Sequence, residues 1–224
     1  MQAVPYFTDL EPQVLETLAT RCRLKTIPTD QVIFTEGDPC LDLCVLESGR
    51  VKFYRVSPEG REQVLKVFDR RGDTFCIASA FSVGKHIVSI RAATDTRLYL
   101  LDVPTVKNLV KEHPSTGLKL LTTTGEHMAH LVGLADDLAL KSATGRLAKH
   151  LLELAAAEPA RSGGDIRLSR DRLPEEELAS MLGTVRVNVS RSLANLARAG
   201  AIELDRESIR IRDLSALRRI SEGK

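Results

Sequence analysis

Arg186 and Arg191 lie five residues apart at the head of an amphipathic stretch, with Asn188 and Ser190 between them. Arginine carries a planar fork of donors that matches O6 and N7 of guanine, and short polar side chains suit base edges or phosphates. On one face of a helix, such a set is chemistry for reading duplex DNA. The opposite face carries Val185, Val189, Leu193 and Leu196 at helical spacing, an apolar stripe for anchorage. Upstream, Leu178, Met181 and Leu182 mark a first short helix, and Gly183 stands where a sharp turn needs a residue without a Cβ. Glu175–Glu177 sit favourably at that helix's N-terminus, behind Leu173 and Pro174. Gly200 ends the second helix. The stretches 201–204 and 208–211 then read as a two-stranded ribbon. The segment predicts a helix-turn-helix with a wing, its second helix entering a major groove. Thr184, Arg186, Val187, Asn188, Ser190 and Arg191 are its expected DNA contacts. The alternative is a helical hairpin packed wholly inside a core.

The elements that must hold this face follow from the rest of the chain. At 224 residues it fits two modest domains. A hydrophobic content of 43% and a charged content of 28% are those of an ordinary globule. The formal net charge of +2 argues against a general polyanion binder. From residue 161 onward 13 Lys+Arg face 10 Asp+Glu, and a local basic face is enough for a sequence-specific binder. No apolar run approaches the ~20 residues of a membrane span. The N-terminus MQAVPYFTDLEP lacks a basic-then-apolar leader. The expectation is a cytoplasmic chain with no membrane partner. Trp is absent, which removes one stacking platform for single-stranded nucleic acid. In a cytoplasmic chain the four cysteines read as thiols, ligands or sensors rather than structural disulfides.

Residues 11–21 form a short amphipathic helix with Val14, Leu15 and Leu18 inward. From Leu24 to Val103 the period changes to short β-prone runs, such as LCVL at 43–46, VKFYRV at 51–56 and QVLKVF at 63–68, separated by glycine turns. Strands at this spacing predict a small antiparallel barrel or roll. Residues 103–113 give a short helix, and Pro114 opens a long one reaching Leu140. Leu118, Leu121, Met128, Leu131, Val132 and Leu138 recur along it at three, four and seven. That is more apolar face than a small roll covers, so a second subunit is its expected partner. Residues 137–141 read as a hinge, 142–157 as another amphipathic helix, and 158–165 (EPARSGGD) as an exposed loop. The fold class is α+β. The expected boundaries are 1–113 for a β-roll sensor domain, 114–140 for the dimerisation helix and hinge, and 141–224 for the winged helix-turn-helix.

Roll, long helix, hinge and winged helix-turn-helix, in that order, resemble the CRP/FNR family of bacterial transcription regulators over nearly the whole chain. The residues that carry the resemblance are the glycine turns of EGDPCLDLCVLESGRVKFYRVSPEGREQVLKVF, the RRGDTF turn, DDLALKSATGRLAKHLLEL and EELASMLGTVRVNVSRSLANL. The resemblance implies a homodimer on a palindromic operator, an effector sensed in the roll, and RNA polymerase as a partner. Arg186 and the Ser190-Arg191 pair match the family's reading helix, while Val187 stands where the family usually has Glu. A carboxylate there would accept from a cytosine amine; valine can only touch a thymine methyl.

The family's cyclic-AMP pocket corresponds in outline to GDTFCIASAFSVGKHIVSIR at 72–91. A cyclic-nucleotide site needs a Glu for the ribose and an Arg-Ser pair for the phosphate, and the chain offers Cys76-Ile77 and His86-Ile87. Cyclic AMP is therefore not the expected effector. What remains is an apolar pocket of Phe75, Cys76, Phe81, His86, Ile87 and Ile90, lined across by His127 and Met128 of the long helix. The stretch is similar to that of the nitric-oxide-responsive denitrification regulators. It is also similar to the GD-x-FC-x-x-S run of the carbon-monoxide-sensing heme regulator, whose cysteine is a heme ligand. Cys76 matches that cysteine, but Ala78 replaces a histidine two residues on, so Cys76 or His86 would be the metal ligand if heme binds, with His127 or His130 as substitutes. Cys76 as a plain core residue is the competing reading. Cys22, Cys40, Cys44 and Cys76 leave open an iron–sulfur cluster or a thiol redox switch. An unidentified small molecule, or no effector at all, also stays open. His127-x-x-His130 shows the one metal-like histidine spacing, against a solvated helix face. An enzyme of the cupin type needs clustered His and Glu on strands, and only His86 falls in the roll. A stand-alone nucleotide-binding module would leave residues 173–211 without a purpose.

Overall fold

The computed structural model describes residues 7, 10–157, 166–170 and 173–223. The loop expected at 158–165 lies outside them. After α1 (Pro12–Arg21) come β1 (Arg23–Ile27), β2 (Val32–Phe34), β3 (Asp42–Ser48), β4 (Val51–Val56), β5 (Glu62–Phe68), β6 (Thr74–Phe75), α2 (Ile77–Phe81), β7 (Ser89–Ala92) and β8 (Thr96–Asp102). The helices α3 (Val103–Glu112), α4 (Pro114–Leu140) and α5 (Ala143–Ala157) follow. The chain closes with β9 (Ile166–Ser169), α6 (Glu175–Leu182), α7 (Arg186–Arg198), β10 (Ile202–Leu204), β11 (Ser208–Ile211) and α8 (Leu214–Ser221). By its contacts it forms two units. One comprises the described residues up to Arg55 with Val64–Leu131, the other Val56–Gln63 with Val132 onward, so the division falls within α4. Among the described residues no helix is long and apolar enough to cross a membrane.

The first unit is the roll. Two four-stranded antiparallel sheets, ordered β1-β8-β3-β6 and β2-β7-β4-β5, enclose its core. The period-2 rule explains the central strand β3, whose first five residues are buried. Cys44 and Leu46 point between the sheets with Phe68, Phe75, Ile90 and Leu98. Leu43 and Val45 point outward, and there Leu18 of α1, Val106 and Leu109 of α3 and Leu120 of α4 cover them. Asp102 caps α3, accepting from the Thr105 backbone N–H at 2.8 Å.

The break expected at 137–141 falls after Leu140, and it is pinned. The Ser142 hydroxyl accepts from the Gly145 N–H at 3.1 Å, capping α5. Asp137 pairs with both Lys141 and Lys149. Arg146 donates to the carbonyls of Lys141 and Leu182, each at 2.7 Å. In the second unit α5, α6, α7 and α8 pack around Leu147, Leu151, Leu178, Leu193, Leu196 and Leu217. The wing has three strands, ordered β10-β11-β9, where the sequence predicts a ribbon of two. The third strand is IRLS, whose burial alternates only once, a weak signal for a strand.

Candidate nucleic-acid interface and the thiol cluster of the roll

Gly183 adopts the left-handed conformation (φ 62°, ψ 45°) that turns α6 into the approach to α7. A Cβ there would stand 2.5 Å from the Leu138 Cδ2, a side-chain end that can move, so it is the left-handed backbone that calls for glycine. α7 is held from beneath by Val189, Leu193 and Leu196, all buried, and by Ser192, whose hydroxyl accepts from Thr144 at 3.1 Å. Val185 is not part of that stripe. It caps the helix in extended conformation and is 43% exposed, because the helical phase begins only at Arg186.

The other face is free as expected. Arg186, Val187, Ser190 and Arg191 are exposed, Val187 at 65% despite its apolar side chain. Thr184 and Asn188 are half-buried and bonded to each other, Asn188 Nδ2 donating to Thr184 Oγ1 at 3.1 Å. Unforeseen from the helical pattern, Arg186 leans back onto α6, with Nε 3.5 Å from Glu175 and Nη1 3.3 Å from Glu176. Exposed ion pairs of this kind contribute at most about 1 kcal/mol, so a guanine edge competes for Arg186 at little cost. Arg186→Ala is expected to lose about 1–3 kcal/mol at a single base pair while tolerating other bases there. Binding to a panel of single-base operator variants checks this.

At the wing tip Asp205 accepts from the N–H groups of Glu207 and Ser208 and from the Ser208 hydroxyl. The Ser208 hydroxyl and these N–H groups draw its carboxyl down to about 2. The turn presents Arg206 to solvent, a residue to which the sequence assigned no role.

In the roll the apolar pocket expected at 72–91 is taken apart. Phe75, Cys76, His86 and Ile90 are buried, but Phe81 is 43% and Ile87 49% exposed. Between the bridge at Lys85 and the start of β7 the chain bends at 87–88, with His86 buried, Val88 half-buried and Lys85 and Ile87 exposed. Met128 is 67% exposed. The cleft where α4 meets the roll, about 400 Å³, is charged rather than apolar, lined by Lys66, Asp69, Arg70, Asp73, Glu126 and His127. Burial, then Lys66 and His130, pull His127 down to about 4, so it is neutral at pH 7. His130 lies 2.9 Å from the Leu65 carbonyl. A carbonyl only accepts, so His130 Nε2 carries the proton in this contact.

The four cysteines do not form one cluster. Cys22 packs against the outer face of the first sheet, apart from the other three. Cys40, Cys44 and Cys76 share the inner core. Pairing of Cys44 with Phe75 in the β3–β6 ladder and a bridge between Pro39 and Lys85 draw three distant segments together. The Cys76 Sγ lies 3.7 Å from His86 Nδ1, and the imidazole stacks on Phe34 with ring centroids 4.2 Å apart. Cys76 or His86 is the expected ligand if heme binds, yet both are sealed in the core, at 6% and 2% exposure. The residues do not fit heme. Cys76 also sits at φ 70°, a left-handed conformation that costs a non-glycine residue about 1–3 kcal/mol. Hydrogen bonds to Cys40 and Cys44, followed by burial, push the Cys76 thiol well up, and the bond from Cys76 draws Cys40 down.

The cyclic nucleotide-binding domain family matches residues 24–113, and the Crp-like helix-turn-helix domain family matches residues 145–220. The chain is similar to the CRP-like cAMP-activated global transcriptional regulator of Mycobacterium tuberculosis, 30% identical over 213 residues, covering 95% of this chain and 94% of that one. Its fold is similar to that of a CRP/FNR transcriptional regulator from Eubacterium rectale, with a TM-score of 0.79 at 22% identity, covering 99% of this chain and 100% of that one. CooA from Carboxydothermus hydrogenoformans gives a TM-score of 0.76 at 26% identity, covering 94% of each chain.

Proposed function

The chain belongs to the CRP/FNR family of transcription regulators, and we propose that it acts as a homodimer on a palindromic site in duplex DNA. The observation that carries this reading is the face of α7: Arg186, Val187, Ser190 and Arg191 are exposed while Val189, Leu193 and Leu196 lock the helix down. An exposed apolar row on α4 supports the dimer, with Leu118, Leu121 and Met128 each about two-thirds exposed. The proposed division of labour is 1–113 as sensor, 114–140 as dimerisation helix and hinge, and 141–224 as DNA reader. It works in the cytoplasm, is not an enzyme, and has RNA polymerase as its further partner at a promoter.

Selection from a random duplex pool tests this. The expected product is a two-fold symmetric site whose half-sites lie about 34 Å apart, one helical turn. Opposite Val187 a thymine should be preferred, since valine accepts nothing from a cytosine amine. Failure to enrich any sequence, or enrichment of an asymmetric single site, would exclude the reading.

The proposed effector is not cyclic AMP. Ile77, where a ribose-binding carboxylate would stand, is buried against the outer core. His86, at the phosphate end, is buried and stacked on Phe34, and Ile87 points to solvent. Neither a hydroxyl acceptor nor a phosphate-pairing cation is in place. Cyclic AMP at millimolar concentration should leave the thermal midpoint unchanged. A ligand at 100 times its dissociation constant adds about 2.7 kcal/mol, so a true site would show as a clear upward shift.

A further inference from the structure

We propose that Cys40, Cys76 and His86 form a binding site for one zinc ion in the core of the roll. Their ligand atoms all lie within 4.8 Å of one another, and all three residues are buried. Among the described residues this is the only such group of three or more potential ligands. Zinc–sulfur bonds of about 2.3 Å and zinc–nitrogen bonds of 2.0–2.1 Å, at tetrahedral angles, put donor atoms roughly 3.5–3.8 Å apart. The 3.7 Å between Cys76 Sγ and His86 Nδ1 falls in that range.

Two further observations point to a ligand. His86 is 2% exposed, and its Nε2 has no hydrogen-bond partner. The other ring nitrogen, Nδ1, is the one turned to the Cys76 sulfur, and stacking on Phe34 fixes the ring in that orientation. Cys76 holds a left-handed backbone that no glycine relieves, and it does so at the point that aims its sulfur at Cys40 and His86.

The donor set selects the ion. Two thiolates and an imidazole are soft to borderline ligands, suited to zinc rather than magnesium or calcium. Two thiolates also cancel a divalent charge, so the loaded site enters the apolar core neutral, and the two thiol protons leave to solvent. Cys44, hydrogen-bonded to Cys76, stands by as a fourth donor. The ion would tie the segment before β3, the entry to α2 and the segment before β7 into one unit. The site rests on the roll alone and is independent of the DNA-binding reading.

The test uses the full-length protein, reduced, stripped with chelator, then equilibrated with zinc or cobalt chloride and desalted. One zinc per chain is expected by elemental analysis, and cobalt should give the visible bands and thiolate charge-transfer absorption of a tetrahedral sulfur-ligated ion. Cys40→Ser and His86→Gln should each weaken zinc binding at least tenfold in a chelator competition, while Cys22→Ser binds as wild type. Should the core variants fail to fold, the cobalt spectrum of the wild-type chain decides alone. A wild-type chain that retains no zinc, a cobalt spectrum without thiolate absorption, or wild-type zinc affinity in both Cys40→Ser and His86→Gln would overturn the proposal. So would a Cys40–Cys76 disulfide persisting in place of metal under reducing conditions.

Discussion

Arg191→Ala abolishes operator discrimination while leaving the dimer and its thermal midpoint at wild-type values: that is the expected result at the strongest reading position. Arg191 is exposed on the free face of α7. Its neighbours Ser192 and Leu193 are buried and stay so when the side chain is cut back, so the fold has nothing to lose. A bidentate arginine–guanine contact contributes about 1–3 kcal/mol, and a two-fold dimer loses it twice, for about 2–6 kcal/mol in total. Specific binding exceeds non-specific binding by about 4–10 kcal/mol in typical regulators, so this loss removes much or all of the margin. Anisotropy titrations of operator and scrambled duplex at one fixed salt concentration measure it. The two curves should converge in the variant and diverge in the wild type. A parallel weakening of both would instead make Arg191 a phosphate contact, and unchanged operator affinity would remove it from the reading face altogether.

Much of this site was legible because it is local. The turn glycine, the apolar stripe and the polar face of α7 lie within one stretch of chain, and helical periodicity converts their spacing directly into geometry. Where the reading failed, the missing information was phase or partner. Val185 fits the spacing of Val189 but precedes the helix, so it faces outward. Ile87 lies in an apolar run yet is exposed, where the chain bends between the Pro39–Lys85 bridge and β7. The Arg186 pairs with Glu175 and Glu176 depend on how α6 crosses α7. The thiol cluster is the extreme case. Cys40, Cys76 and His86 come from three separate segments, and the β3–β6 register together with the Pro39–Lys85 bridge brings them together. Four cysteines counted along the chain suggested a single set, whereas alternation in β3 and the sheet faces separate Cys22 from the rest.

The proposed dimer underlies the second large effect. α4 is 27 residues, about 40 Å at 1.5 Å per residue, and of its side chains only Thr116 and Leu120 are buried in the isolated chain. Leu118, Leu121, Gly125, Met128 and Val132 follow a heptad spacing of alternating three and four, the pattern of a two-stranded seam. Leu121 and Met128 are 66% and 67% exposed, so replacing both with Glu leaves the roll's own core intact. Across a two-fold seam the same change removes four apolar side chains, each contributing about 1.5–3 kcal/mol when fully buried, and sets four carboxylates facing one another. A dimer with nanomolar affinity, about −12 kcal/mol, would then dissociate at micromolar concentrations. Sedimentation should show a folded monomer, and operator binding should fall with it, since each half-site is then held by one reading helix alone. Gly125 sharpens the test. An added Cβ meets nothing within 4 Å in the isolated chain, so Gly125→Ala in a solitary helix gains about 1 kcal/mol of helix propensity. In a closely packed seam the same methyl meets its symmetry mate and weakens association. A wild-type chain that sediments as a monomer at tens of micromolar, or a Leu121→Glu/Met128→Glu variant that stays dimeric, would show that this row of α4 is not the seam.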